Sequence, residues 1–460
     1  MRSYLFATLL IAAVVLGSTS TAQAIPAFAR RYGTTCQTCH VMFPKLSPFG
    51  EAFRRNGYKW PGRDEEYVKQ DQIPLGQEAY REVFPDAVWP GTLPASAPLA
   101  LGFNGFVPIH PNKSSSSAQA DNKAVFSLQS LIEEGHLWAG GAFSEHIAYF
   151  AEVTFASDHT TEIEHAELHF NDLGLSPHLV NLYVGRGVPN LTSFGPHSSF
   201  IADNIMPAIS VTALYGASTD SFTTLGQYNL VEVNGMAKGR FIYSLGVNSG
   251  ANPFEDTRTS ESVTAHVGFK VGGMRLDGEG DNKGDAQKPW AETALTVDVF
   301  GYRSASHFTN ALDPTMPVDL DDRTYVLGGH VRGTKGSFEL DSGVFQEWHN
   351  HATAAGVGVK ALVQYDELSY VVYPWLVPAL RMEYVSLLPD GGTRVNDLRF
   401  IVGGAFLVRP NLKLTLAGLI EHANAVPDAG SWDAAGGLAV PTAGAVTELE
   451  AIQVGLVFAF

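Results

Sequence analysis

Both cysteines of this 460-residue chain lie in one stretch, Arg31–Leu46, reading RYGTTCQTCHVMFPKL. Cys36 and Cys39 are three apart, and His40 follows at once. Three chemistries use such a pattern. A redox disulfide needs a thioredoxin-like βαβ setting, and none follows. A structural zinc site needs two further Cys or His ligands at finger-like spacing, yet the next histidine is His110, beyond a proline-rich stretch. Covalent attachment of a c-type haem needs what is present: two thiols for the two vinyl groups, and an adjacent imidazole beneath the iron. One haem c on Cys36 and Cys39, with His40 as proximal axial ligand, is therefore expected. Met42 is too near His40 to reach the opposite face of the same haem. Among later residues, His197 and Met206 are the distal candidates.

The flanking residues form a small unit around this motif. Ser47-Pro48 is an N-cap followed by proline at the first helical position, and Pro48–Gly57 reads as a short helix closed by glycine. Phe43, Leu46, Phe49 and Phe53 offer an apolar surface. From Ile25 to Arg63 there are seven basic residues and one acid, Glu51. A unit of about forty residues is too short to bury a good core alone, so it requires a partner surface.

Residues 1–24 read as a secretory signal peptide: basic Arg2, an apolar run from Tyr4 to Leu16, and Ala22-Gln23-Ala24 as cleavage site. No later stretch reaches 18 apolar residues, so a membrane-spanning mature chain has to be a closed barrel. Residues 64–98, with prolines at 74, 85, 90, 94 and 98, form an irregular linker carrying one helical turn. From residue 99 to 460 period-two alternation takes over. Val263, Ala265, Val267, Phe269 and Val271 share one face, against Ser262, Thr264, His266, Gly268 and Lys270. Tyr325, Leu327 and Val331 oppose Val326, His330 and Arg332, and Leu295, Val297 and Val299 oppose Thr296 and Asp298. Leu412, Leu414 and Leu416 oppose Lys413, Thr415 and Ala417.

A soluble sandwich alternates too, but the last strand, AIQVGLVFAF, ends on Phe460 itself, like the assembly signal of outer-membrane barrels. Tight turns such as Val408–Leu412 contrast with long polar loops, the pattern of short periplasmic turns and long external loops. The expected fold is mainly β: an outer-membrane antiparallel barrel of about 14–16 strands of ~10 residues, its lumen plugged by the α-helical haem segment, residues 25–63. From Asp64 onward the chain carries 22 basic and 46 acidic residues, so a basic plug suits an acidic lumen. An overall charge of −17 argues against nucleic acid as partner.

IPAFARRYGTTCQTCHVMFPKLSPFGEAFRRNGYKWP, followed by a porin-like barrel, resembles the fused outer-membrane cytochrome–porins associated with iron oxidation and extracellular electron transfer. The likeness rests on Pro26, Phe28, Ala29, Arg30, the CxxCH, Phe43-Pro44, Phe49-Gly50, Phe53 and Gly57-Tyr58, and in the barrel on length, alternation and the terminal Phe. It implies a single haem c on Cys36, Cys39 and His40, placed in or at the lumen. Electron transfer across the outer membrane would follow, between an extracellular donor or acceptor such as iron and a periplasmic c-type cytochrome. Asp277, Glu279, Asp281 and Asp285 in one loop, and Asp313, Asp319, Asp321 and Asp322 in another, offer hard oxygen ligands to Fe(II), or are solvated loop acids. His165, Glu167 and His169 share one strand face, as do His349 and His351, either as metal ligands or as plain polar lining. The rival readings are a porin whose haem segment is a plug or redox-gated lid, and a haem peroxidase.

Overall fold

The computed structural model describes residues 27–62, 64–74, 98–110, 130–174, 176–207, 226–249, 262–279, 288–310, 318–352, 357–426 and 442–460, with residues 82, 92–94, 125–126, 128 and 222. The expected signal peptide lies outside these residues.

The N-terminal segment holds α1 (Ala27–Tyr32), α2 (Cys36–Cys39), the short hairpin β1 (His40–Met42) and β2 (Lys45–Leu46), and α3 (Pro48–Arg55). Ser47 caps α3, its Oγ accepting from the Gly50 N–H at 3.1 Å, and Pro48 opens the helix. Gly57 and Tyr58 then adopt left-handed φ values of 65° and 57° and turn the chain out of the helix. Within the linker lie α4 (Asp64–Tyr67) and a two-stranded sheet of β3 (Gln72–Pro74) and β4 (Thr92–Pro94).

The remainder is a closed sixteen-strand antiparallel barrel. Its strands are β5 (Leu99–His110), β7 (Glu134–Ala142), β8 (Ile147–Ala156), β9 (Thr161–Phe170), β10 (Asn181–Gly187), β11 (Tyr228–Ala237), β12 (Phe241–Asn248) and β13 (Ser262–Gly272), then β14 (Glu292–Asn310), β15 (Val318–Gly336), β16 (Phe338–His349), β17 (Val359–Tyr370), β18 (Leu376–Pro389), β19 (Val395–Arg409), β20 (Leu412–Val426) and β21 (Thr442–Ala459). A two-residue β6 (Val125–Phe126) pairs with the far end of β5. Closure runs through β21 against β5, where Phe458 faces Phe103 and Ala459 faces Gly102.

The two faces read from the alternation are present, turned inside out relative to a soluble protein. On β13 Val263, Val267, Phe269 and Val271 are exposed, whereas Ser262, Thr264, His266 and Lys270 are buried in the lumen. On β14 Leu295, Val297 and Val299 face out while Thr296 and Asp298 face in. An apolar exterior on a closed barrel is what lipid requires, since every backbone group must be paired and no edge exposed. Exposed aromatics ring one rim: Phe338 against Tyr370, Tyr373 stacked on Trp375 at 5.3 Å, and Phe241 beside Tyr243. This is the rim of the tight turns 238–240, 371–375 and 410–411, hence the periplasmic side of an outer-membrane barrel.

Strand direction corrects one expectation. The connection 273–291 leaves β13 and enters β14 at this same rim, so Asp277 and Glu279 face the periplasmic side rather than an external donor. Asp277 is also buried, bound to Arg275 and accepting from the Glu279 N–H. Asp281, Asp285 and Asp313 lie outside the described residues. Asp319, Asp321 and Asp322 sit on β15, which starts at Val318, rather than in a loop.

Val267 stands in the middle of the lipid-facing stripe. Val267→Arg is expected to destabilise the barrel by about 2–4 kcal/mol, measured by reversible urea unfolding in lipid vesicles, whereas an arginine at the exposed turn residue Thr393 leaves the midpoint unchanged.

Candidate functional site

The CxxCH turn is locked from below by α3. Ser47 N donates to Cys39 O at 2.8 Å, and Ser47 Oγ donates to Thr38 O at 3.1 Å. Gly50 lies so close beneath that a Cβ there would stand 1.8 Å from Cys39 O, so only glycine fits. Cys36 and Cys39 are free, half-buried thiols. The hydrogen bond between His40 Nδ1 and Pro44 O, 3.0 Å long, fixes the tautomer: Nδ1 carries the proton and donates, leaving Nε2 as the ligand nitrogen. Burial lowers the His40 imidazole to about 4, against the opposing pull of the Pro44 carbonyl, so it is neutral and competent as a ligand. Burial likewise pushes the Cys39 thiol up to about 12.

Cys36, Cys39 and His40 open onto a lumenal cavity of about 710 Å³, within the 300–1,000 Å³ usual for cofactor-sized sites. The nearer wall is aromatic. Phe28 stacks on Tyr58 at 5.6 Å and meets Phe53 edge-on at 5.2 Å, and Phe43 meets Trp138 of β7 at 5.8 Å. Two thiols three apart, one imidazole with a free Nε2 and an apolar slot form a donor set that suits a covalently held haem.

The segment sits inside the short-turn mouth of the barrel, and charge ties it there. Lys45 is buried and bonded to Glu339 and to Ser198 O. Arg54 donates to Asn190 Oδ1 at 3.1 Å, Arg55 to Leu276 O at 3.0 Å and Asn56 to Asp277 O at 2.9 Å. The one acid of the segment, Glu51, accepts from the Gly195 N–H at 2.9 Å and pairs with Arg54 at 3.2 Å. Burial raises the Glu51 carboxyl, but Arg54, Arg55 and the Gly195 N–H outweigh it and hold it below the ordinary glutamate value.

Residues 188–207 form the other side of the cavity. They leave β10 and cross the lumen instead of forming an external loop. Asn190 is held by Glu232 of β11, Ser193 by Asp298 of β14, Phe200 N by Glu367 of β17 at 3.0 Å, and Ile205 O by Arg381 of β18 at 2.6 Å. Phe200 and Ile201 pack with Val41 and Met42 against the inner wall of β18 to β21. Met42 is thus committed to this core. The signal for the inward course lay in VPNLTSFGPHSSFIADNIMP, an interval too long for a turn and rich in Ser, Asn and Pro.

Both distal candidates, His197 and Met206, lie on this inward segment and line the same cavity as the CxxCH turn. Met206 is buried beside Leu191, Ile205 and Phe222. His197 is partly exposed and donates from Nδ1 to Asp203 O at 3.3 Å. His165, Glu167 and His169 face the cavity together, with Glu167 bonded to both imidazoles. His349 and His351 do not share a strand face: β16 ends at His349, which is buried between Asp322 and Glu347, and His351 lies beyond it, bonded to Asp321 O. Sequence reasoning missed His136, Glu152 and Glu164, which line the cavity beside His165.

No protein-family model and no curated protein matches the sequence. Solved structures match by fold. An anion-selective porin from Comamonas acidovorans superimposes with a TM-score of 0.50 at 12% identity, covering 79% of this chain and 99% of that one. OmpT, an outer membrane protein of Vibrio cholerae, gives a TM-score of 0.48 at 12% identity over 79% of this chain and 96% of that one. The likeness to the anion-selective porin shows the fold alone, a porin-type barrel. Within it, the N-terminal segment fills the mouth.

Because Glu51 is held below its ordinary value, its contribution to docking is fully present above about pH 4.3 and is lost as pH falls through the lowered value. At neutral pH, Glu51→Gln is expected to weaken docking by about 2 kcal/mol, seen as faster tryptic cleavage after Arg54 and Arg55 while the barrel stays intact.

Proposed function

We propose that the protein carries electrons across the outer membrane, with one haem c attached through Cys36 and Cys39 and ligated by His40, between an extracellular donor such as ferrous iron and a periplasmic c-type cytochrome. The observation that carries this reading is the CxxCH turn itself, pinned by Ser47 and Gly50 with its thiols and His40 opening onto an aromatic-lined lumenal cavity. Bound there, a haem supplies a one-electron couple inside a membrane too thick for a single electron step. The chain's residues do the rest. Pro44 O fixes the His40 tautomer, Phe28, Phe53 and Tyr58 exclude water from one side, and Lys45, Arg54 and Arg55 keep the plug seated.

The seat lies toward the periplasmic mouth rather than at mid-membrane. A periplasmic cytochrome then has the short approach, and the external donor has to enter the lumen or act through its wall. The identity of that donor rests on the family resemblance. A haem-plugged porin is the second reading, favoured by the porin-type barrel and the size of the cavity. The resemblance does not favour a peroxidase.

Detergent-purified, oxidised protein is mixed anaerobically with ferrous iron, and the α-band of reduced c-type haem is followed. Reduction is expected within the mixing time. Full reduction by dithionite alongside none by iron removes iron as the donor, and absence of any c-type band with dithionite removes the haem. Cys36→Ala combined with Cys39→Ala is expected to abolish covalent haem on a denaturing gel. Single-channel recording separates the second reading: solute-sized conductance that closes when the haem changes redox state supports a gate.

A further inference from the structure

Above the plug, β7, β8 and β9 bring carboxylates and imidazoles together on one wall of the lumen. Glu152, Glu164 and His165 each offer a ligand atom, and these atoms lie within 4.8 Å of one another. Alternation alone would turn Glu164 outward, since its neighbour His165 faces in. The β8–β9 ladder slips at this point: Glu152 pairs with His165, but Val153 pairs with Ile163, leaving Glu164 as the extra residue of a bulge. The bulge turns Glu164 to the lumenal side beside His165, while Ile163 stays exposed to lipid. Bulges characteristically re-aim a side chain beside a functional site.

We propose that Glu152, Glu164 and His165 bind one divalent first-row transition cation, and that this is where a soluble metal donor such as Fe(II) rests inside the barrel. Two carboxylates and one imidazole suit ferrous, manganous or zinc ions. The donor set is oriented from outside, as ligand sets for metals are. Glu167 binds His165 Nδ1, so Nε2 is the nitrogen left toward Glu152. His136 Nδ1 meets Glu152 Oε1 at 2.9 Å. His165 Nε2 and Glu152 Oε2 then face each other at 3.8 Å. That is too long for a hydrogen bond, and it matches two ligands about 2.0–2.2 Å from a shared ion. Glu152 is nine-tenths buried, with His136 on Oε1 and Oε2 turned toward His165.

A second observation points the same way. His165 contacts Phe150 edge-on at 5.5 Å, Phe150 stacks on Tyr58 at 5.0 Å, and Tyr58 stacks on Phe28 at 5.6 Å. The cation position is thus joined to the wall of the CxxCH cavity by an unbroken series of ring contacts. The proposal deepens the electron-transfer reading, but its binding step does not depend on a haem.

Mn²⁺ is the probe, because it is redox-inert here and visible by EPR. The full chain, purified in detergent with its haem reduced, is titrated with Mn²⁺ under anaerobic conditions. One saturable ion per barrel is expected, displaced by Fe²⁺, with electron spin-echo modulation from one histidine nitrogen. Glu152→Gln with Glu164→Gln is expected to weaken binding by more than 100-fold. Glu167→Gln, which frees His165, is expected to weaken it 10–100-fold. Asp158→Asn, on the exposed turn of the same hairpin, leaves it unchanged. A wild-type chain with no saturable site, or with bound Mn²⁺ lacking the nitrogen signal, overturns the proposal even where a variant fails to fold. Equal binding by wild type and the double variant overturns it as well. Mn²⁺ binding without reduction of the haem by iron leaves this site standing and removes the iron-donor reading. Iron reduction without an Mn²⁺ site does the reverse.

Discussion

Everything in this molecule follows from the requirement that a β-sheet in lipid close on itself with its apolar face outward. Because side chains alternate, each lipid-facing valine or leucine sends a neighbour into the lumen, and sixteen strands enclose a lumen wide enough to hold water. Here the lumen is filled. Its lining is charged, with Asp298 set between His266 and His330, and Asp341 between His330 and Arg332. Groups buried in this way are tolerable because each is paired, and losing a partner would leave a charge stranded.

Such a lining selects its occupants. The N-terminal segment is short and basic, unable to bury its own core, and it borrows the barrel's. Val41 and Met42 join the apolar part of the inner wall, and the cations Lys45, Arg54 and Arg55 meet carboxylate, amide and backbone oxygens. The inward segment 188–207 is the mediator. It binds the wall through Glu232, Asp298 and Glu367, and binds the plug through Ser193, Gly195 and Ser198. Plug, inward segment and wall are therefore one hydrogen-bonded body around the cavity.

The sequence was legible wherever a rule is local. Strand faces on β13, β14 and β15 follow from period two, the cap of α3 from Ser47-Pro48, and the CxxCH turn from spacing. What could not be read depends on which end of the barrel a connection occupies. Asp277 looked like part of an external acidic loop, yet strand parity puts it at the periplasmic rim, where it is bound by Arg275. Glu164 was hidden by the same alternation that exposed the barrel, because a bulge breaks the period where it matters. His351 appeared to share a face with His349, but the strand stops between them.

The off-centre plug then sets the problem that the lumen wall has to solve. With the CxxCH turn near the periplasmic mouth, the proposed electron transfer would have to cover the full remaining height of the barrel rather than half of it. Neither a wider pore nor a deeper plug is available, since the inward segment already crosses the lumen and is fixed to four different strands. On one side, β7, β8 and β9 line the cavity. There the wall changes character from apolar packing to carboxylates and imidazoles, and its rings run without a break from His165 to Phe28. On the proposed reading, a donor small enough to enter the lumen would close the distance itself by resting at Glu152, Glu164 and His165. Were the protein to carry electrons as proposed, this arrangement would suit a soluble, cationic donor better than a bulky one that must stay at the outer mouth.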